Sequence, residues 1–224
     1  MAAIRTLDQL QASLTENLVW RTNEMDQWLM VAGRVRSHEL PGILRGGLAL
    51  IYAHWEGYVK DSACAYLEYV SRKGLKVGDL RPELAAIALR SSLGKGEQSK
   101  DSKSHTEIVS LIRNELNRPA QLKYDAATIR TRSNLNFKVF DDIMHSIGCD
   151  ASRHEIFQLL IDARLLKFRN EIAHGRQEYV ALDDWMEIRD RVVLILKDVR
   201  DQISNSAAQK LYLASSVAAS SSSV

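Results

Sequence analysis

Hydrophobic positions recur at three- and four-residue spacing along almost the whole chain, which is the period of a helix with one buried face. Thr6 followed by Gln9 makes a capping box, and Leu7, Leu10, Leu14 and Leu18 then share a face. This predicts a first helix reaching about Ser37. Pro41 suits the first turn of a second helix, where a missing N–H costs nothing. Ile43, Leu44, Leu48, Ile51, Trp55, Tyr58 and Val59 give that helix its apolar stripe, and it ends near Gly74. Gly46, Gly47 and Gly57 weaken a helix unless a neighbour packs closely against them, so close packing is expected there. A short helix follows Arg81-Pro82. Residues Ser91 to Ser104 are rich in Gly, Ser and Lys and read as a loop.

Ser104 with Glu107 predicts a helix through about Leu116, with Pro119 closing that region. A further helix is expected from Leu135 to Ile147, stopped by Gly148. Ser152 with Glu155 and Asp184 with Glu187 read as capping boxes of two more helices. The last carries Val192, Ile195, Leu196, Val199 and Ile203 on one stripe. Beyond Leu213 the chain turns to Ala and Ser, too polar to dock, and reads as a disordered tail. The expectation is an all-α bundle: one domain over residues 1–213, with a tail at 214–224.

The helix opened by Ser152 is apolar on two sides. At 100° per residue, Ile156, Leu159, Leu160, Ala163 and Leu166 share one face, which Asn170 and His174 continue. Phe157, Ile161, Leu165, Phe168 and Ile172 form a second stripe nearly opposite. A bundle covers one stripe; the other needs further helices or a second copy of the chain, and a homodimer is the favoured answer.

Composition narrows the functional classes. With 224 residues, one domain with additions fits the length. Thirty Lys and Arg against 28 Asp and Glu leave a formal charge of +2, which excludes a histone-like polycation; nucleic-acid binding must come from a local patch. Cys64 and Cys149 are far apart and lack paired spacing, so neither a metal site nor a disulfide framework is expected, and two small buried thiols are. No early apolar run has the shape of a signal peptide, and no stretch is long and uncharged enough to span a bilayer, so a cytoplasmic protein is expected. No cofactor or metal is expected: Gly94-Lys95-Gly96 has the wrong spacing for a phosphate loop, and nothing resembles a nucleophile elbow.

The chemistry concentrates in Leu166-Lys167-Phe168-Arg169-Asn170-Glu171-Ile172-Ala173-His174-Gly175. Arginine carries a permanent charge on a forked donor set that matches phosphate oxygens. Histidine exchanges a proton near neutral pH. An arginine, an adjacent amide and a nearby histidine are what metal-free phosphodiester cleavage requires. The same residues also suit an ion pair and a helix-capping histidine, and chemistry alone leaves both readings open. Arg169 lies about 140° round an ideal helix from His174. A shared site therefore needs the arginine to bend round, the helix to loosen near Gly175, or a two-fold axis to bring in another subunit. The helix C-terminus favours imidazolium at His174, and Gly175 is expected in the left-handed conformation.

Phe168 to Gly175 resembles the motif of the HEPN superfamily: Arg, a polar residue, a short spacer, His. Tyr52-Ala53-His54-Trp55-Glu56-Gly57-Tyr58-Val59-Lys60 and Ser133-Asn134-Leu135-Asn136 resemble its RiboL-PSP-HEPN-like bacterial branch, in the expected order. The resemblance implies an HEPN-like bundle with additional helices, a homodimer with a composite cleft, and an endoribonuclease whose 2′-hydroxyl attack leaves a cyclic phosphate. It gives His174 the proton transfer, Arg169 the developing negative charge, and Asn170 the positioning of the histidine or the phosphate.

Around these, Glu56 is a supporting candidate that orients an arginine, or else an exposed carboxylate. Lys167 and Arg176, with Arg164, are candidate RNA contacts or solvated charges. Trp55 and Tyr58 are expected in the core, His54 at the surface or an interface, and His145 and His154 at the surface. Arg176 stands where some HEPN toxins carry a tyrosine that an antitoxin modifies, and Tyr179 is too displaced to replace it. By resemblance the setting is toxin–antitoxin or anti-phage defence, with RNA as substrate and an antitoxin or other defence protein as partner. The rival reading is a non-catalytic helical dimer that binds or assembles partners.

Overall fold

The computed structural model describes residues 3–90, 93, 102–125, 127–131 and 134–214. The chain is all-α. α1 (Leu7–Ala32), α2 (Leu40–Ser71) and the last helix, α7 (Leu182–Ala208), pack on one another as the main bundle. Between α2 and α7 lie α3 (Pro82–Ala88), α4 (Ser102–Glu115), α5 (Phe137–Ser146) and α6 (Lys167–Ala173). Two isolated β-bridges, Lys76 with Pro119 and Leu80 with Leu213, tie the connections down.

The long helices follow the apolar pattern. Thr6 and Gln9 form the capping box expected of α1. α2 carries Pro41 in its first turn and is buried on most of its circumference, with Leu48, Ile51, Trp55 and Tyr58 fully enclosed. Gly47 explains how α1 and α7 approach it: a Cβ there would stand 2.3 Å from Trp28 Nε1 and 2.7 Å from Trp185 Nε1. Gly57 makes similar room for the Arg21 guanidinium, 2.7 Å from such a Cβ.

Several ends differ from the pattern. α1 stops at Ala32 with Gly33 at its cap, short of Ser37. α5 starts at Phe137 because Asn136 caps it, its side chain accepting from Val139 N at 2.8 Å. Helix α4 already includes Ser102, so Ser104 sits inside it rather than at its cap. Nor are Asp184 and Glu187 a capping box. α7 begins at Leu182 after Ala181, and both carboxylates instead hold Arg164, at 2.7 and 2.6 Å. Most of the expected loop from Ser91 to Ser104, and the tail beyond 214, lie outside the described residues.

The largest correction concerns the segment before the Arg–His motif. A single α-helix opened by Ser152 does not form. Ser152–Phe157 is a 3₁₀ turn, with the Ser152 hydroxyl bonded to Asp150 instead of capping. Leu160–Leu166 then winds as a π-helix, and only Lys167–Ala173 is α-helical. The wider π turn breaks the 100° register that the wheel assumes. Ile161 and Leu165 of the second stripe are fully buried, and Phe157, Phe168 and Ile172 pack partly against the core. On the first stripe, Leu160 is covered and Leu166 half covered, while Ile156 and Leu159 are 80% and 77% exposed.

Two histidines expected at or near the surface are inside. His154 is buried, its Nε2 2.7 Å from Asp198 Oδ2, whereas His145 is exposed as expected. His54 is buried between Arg21 and Glu24, 3.4 Å and 3.0 Å from its ring nitrogens, and burial followed by the Arg21 charge lowers its pKa. Arg21 reaches on to Asp61 at 2.8 Å. Charged partners on neighbouring helices keep both imidazoles inside, and a single sequence gives no sign of them. The two cysteines are free and only half covered, and desolvation pushes both thiols up to about 11.

Candidate functional site

α6 begins where the π-helix ends, and the π segment also fixes its surroundings. Asp162 within it accepts from Phe137 N at 2.7 Å, satisfying a donor in the first turn of α5. This ties the chain just after Asn134-Leu135-Asn136 to the approach to α6. α6 then closes as a Schellman motif, in which Gly175 N bonds Ile172 O, Arg176 N bonds Glu171 O, and Gly175 takes φ +74°. His174 is therefore the C-cap residue, and its side chain is exposed.

Arg169 is half-buried and organised from three directions. Its Nη1 donates to Asn170 Oδ1 at 2.8 Å and to Asn134 Oδ1 at 3.1 Å. Its guanidinium carbon lies 4.5 Å from the centre of the Tyr52 ring. The arginine bends towards Asn170, which is one turn before His174 on the same face. Asn170 spends its carbonyl on the arginine, so its visible role is to hold Arg169.

Tyr52 sits at the centre of a second layer. The buried phenol oxygen accepts the Leu135 amide at 2.7 Å, and the Trp55 indole donates to Leu135 O at 3.0 Å. Two side chains of α2 therefore clamp the residue after Asn134. Glu56, one turn on from Tyr52, is half-buried and accepts a hydrogen bond from Thr131 Oγ1. Desolvation, opposed by the Leu135 hydrogen bond and the Arg169 charge and aided by Glu56, pushes the Tyr52 phenol up to about 12. The ring beneath Arg169 is neutral throughout the physiological range, and its oxygen remains an acceptor for the loop.

The three sequence pieces singled out above thus meet in one place. Glu56 is in this cluster, but its described partner is Thr131, and it bears on Arg169 through Tyr52 and the loop. Lys167 is exposed beside the cluster. Arg176 is exposed but ion-paired with Glu171 at 2.6 Å, and Arg164 is committed to α7. Sequence reasoning assigned no role to Tyr52, Asn134 or Thr131. Tyr52 and Glu56 had a usable signal: an aromatic and an acid one turn apart on a helix otherwise facing the core. Thr131 had none.

Among the described residues no three His, Cys, Asp or Glu side chains group as metal ligands, and no helix is long and apolar enough to cross a membrane. No curated protein and no solved structure matches the chain. The family profile of the MAE_28990-like HEPN proteins matches residues 10–212, which takes in all but the first turn of α1, all three motif pieces and α7. With nearly its whole length inside that match, the all-α chain belongs to the MAE_28990-like HEPN family.

Proposed function

We propose that the protein is a homodimeric endoribonuclease that uses Arg169 and His174 on the phosphodiester backbone of RNA. The observation that carries this reading is the convergence of Tyr52, Asn134 and Asn170 on one guanidinium, a turn from an exposed histidine. Amide oxygens of Asn134 and Asn170 and the face of Tyr52 fix where the Arg169 guanidinium points. Such a cation, fixed in advance, stabilises charge developing on non-bridging phosphate oxygens.

The steps balance with this chain's own groups. The 2′-hydroxyl oxygen bonds to phosphorus and gives its proton to a base. The P–O5′ bond breaks, and the leaving oxygen takes a proton from an acid. The products are a 2′,3′-cyclic phosphate and a 5′-hydroxyl. His174 of one protomer and His174 of its partner supply base and acid when two α6 helices face one another. The exposed stripe of Ile156 and Leu159 supports the pairing, because it lies on the segment leading into α6 and gives a second copy an apolar surface to cover. Toxin–antitoxin or anti-phage defence is the setting this chemistry fits.

The test is cleavage of single-stranded RNA in the presence of chelator. His174→Ala is expected to lower the rate by roughly 10²-fold or more, the usual size of a lost acid–base group. Ile156→Glu with Leu159→Glu is expected to give monomers and to abolish cleavage together. Full activity in His174→Ala, with wild type and mutant equally tolerated on expression, would leave the partner-binding reading standing.

A further inference from the structure

A second place in the fold offers cations to a ligand, away from the Arg169 cluster. It is a pocket of about 330 Å³ between the end of α3 and the chain from Gln121 to Arg130. Arg90, Lys123 and Arg130 line it, with Asp125 as its acidic member. The Arg90 guanidinium donates to Thr128 O at 3.0 Å, and that of Arg130 donates to Ala127 O at 3.0 Å. Each arginine is thus steered by a main-chain carbonyl, which spends one of five N–H donors and none of the charge. Asp125 is turned onto its own loop: Oδ1 accepts from Ala127 N, Thr128 N and Thr128 Oγ1, and the Thr128 hydroxyl leads in holding this carboxyl below the usual range.

Two other concave surfaces among the described residues do not offer this. The groove of about 560 Å³ beside Asn134 sets Lys138 against Asp141 and Asp142. The one below Gly148 contains Arg81 and Arg153, which are paired with Glu83 and Asp198. Three cations against one engaged carboxylate, two of them forks held at fixed points, suit the oxygens of a phosphate group. The volume admits a nucleotide-sized occupant.

We infer that the pocket bounded by Arg90, Lys123 and Arg130 is a binding site for a phosphate-bearing ligand, separate from the Arg169 cluster. The chemistry is shared by a free nucleotide and by a flanking phosphate of an RNA strand. The site also has a physical link to the Arg169 cluster. Thr128 is three residues before Thr131, which holds Glu56, and six before Asn134, which holds Arg169. An occupant that joins Arg90, two residues past the end of α3, to Arg130 bears on the chain at Thr128, which Arg90 already holds. The consequence for Arg169 rests on the nuclease reading above; the binding site itself does not.

The experiment measures binding without turnover, so failure of cleavage leaves it intact. ADP is titrated calorimetrically, and a 2′-O-methyl RNA 12-mer is titrated by fluorescence anisotropy, both at constant ionic strength. The full chain is compared with R90Q/R130Q, with K123Q and with R169A. At least one probe is expected to bind wild type and to weaken tenfold or more in R90Q/R130Q and about threefold in K123Q. ADP binding is expected to stay within twofold of wild type in R169A. Weakening of ADP identifies a free nucleotide as the ligand; weakening of the 12-mer alone identifies the strand. K123Q removes no described hydrogen bond and remains informative if the double variant folds poorly. The proposal is overturned if neither probe responds to the R90Q/R130Q and K123Q changes, or if ADP affinity depends on Arg169 instead.

Discussion

Replacing Tyr52 by Phe removes the phenol oxygen beneath the Arg169 cluster, and with it the bonds to Leu135 and Glu56. The ring stays below the guanidinium, and only the oxygen that accepts Leu135 N at 2.7 Å is lost. Leu135 is fully buried and Tyr52 nearly so, so the amide cannot turn to water. An orphaned buried donor costs about 1–3 kcal/mol. Taking ~2 kcal/mol, the melting temperature of a chain this size falls by roughly 4–8 °C. Leu135 follows Asn134, so the same change frees the amide oxygen that holds Arg169, and a loss of ~1.4 kcal/mol of transition-state stabilisation reduces kcat/KM about tenfold. Tyr52→Leu removes the ring as well and is expected to be worse on both measures. The assay pairs thermal melts with RNA cleavage, and hydrogen exchange at the Leu135 amide reports the local effect. Because the phenol is pushed up to about 12, both losses are expected to be the same at pH 6 and pH 9. A Tyr52→Phe protein melting within 1 °C of wild type, with the Leu135 amide still protected, would refute the clamp.

Two further outcomes follow from the packing. Gly47→Ala places a Cβ inside the contact distance of two tryptophans and is expected to destabilise the bundle by ~1–3 kcal/mol, read by urea denaturation. His54 is lowered from its ordinary value chiefly by burial, so the unfolded chain binds the extra proton first. Stability is then expected to be full above pH ~6.5 and to drop on acidification through the window below it, and His54→Gln is expected to flatten that slope.

The parts of the fold that sequence made legible are those governed by local rules. The Thr6–Gln9 box, the Pro41 start, the apolar stripes of α2 and α7, and the left-handed Gly175 each depend on residues within a turn or two. What stayed hidden depends on distant partners. Asp184 and Glu187 look like a cap until Arg164 is found across from them. His154 looks like a surface residue until Asp198 is seen beside it. The π-helix has no signature in a hydrophobic wheel that assumes one period throughout: the wheel shows two apolar stripes without saying which is left uncovered, and it puts Leu160 on the face of Ile156 and Leu159, whereas Leu160 is buried and they are not. Resemblance located the three motif pieces. That Tyr52 lies under Arg169, and that Asn134 grips it, depends on contacts between distant parts of the chain.

The clamp on Leu135 joins residues 83 positions apart, and the grip on Arg169 spans another 35. The first is unavailable to a growing polypeptide until Leu135 has been made, and the second until α6 has been made as well. Should the chain cut RNA, a half-synthesised copy is harmless to the messenger that encodes it, and the hazard is switched on only by completion of the tertiary structure.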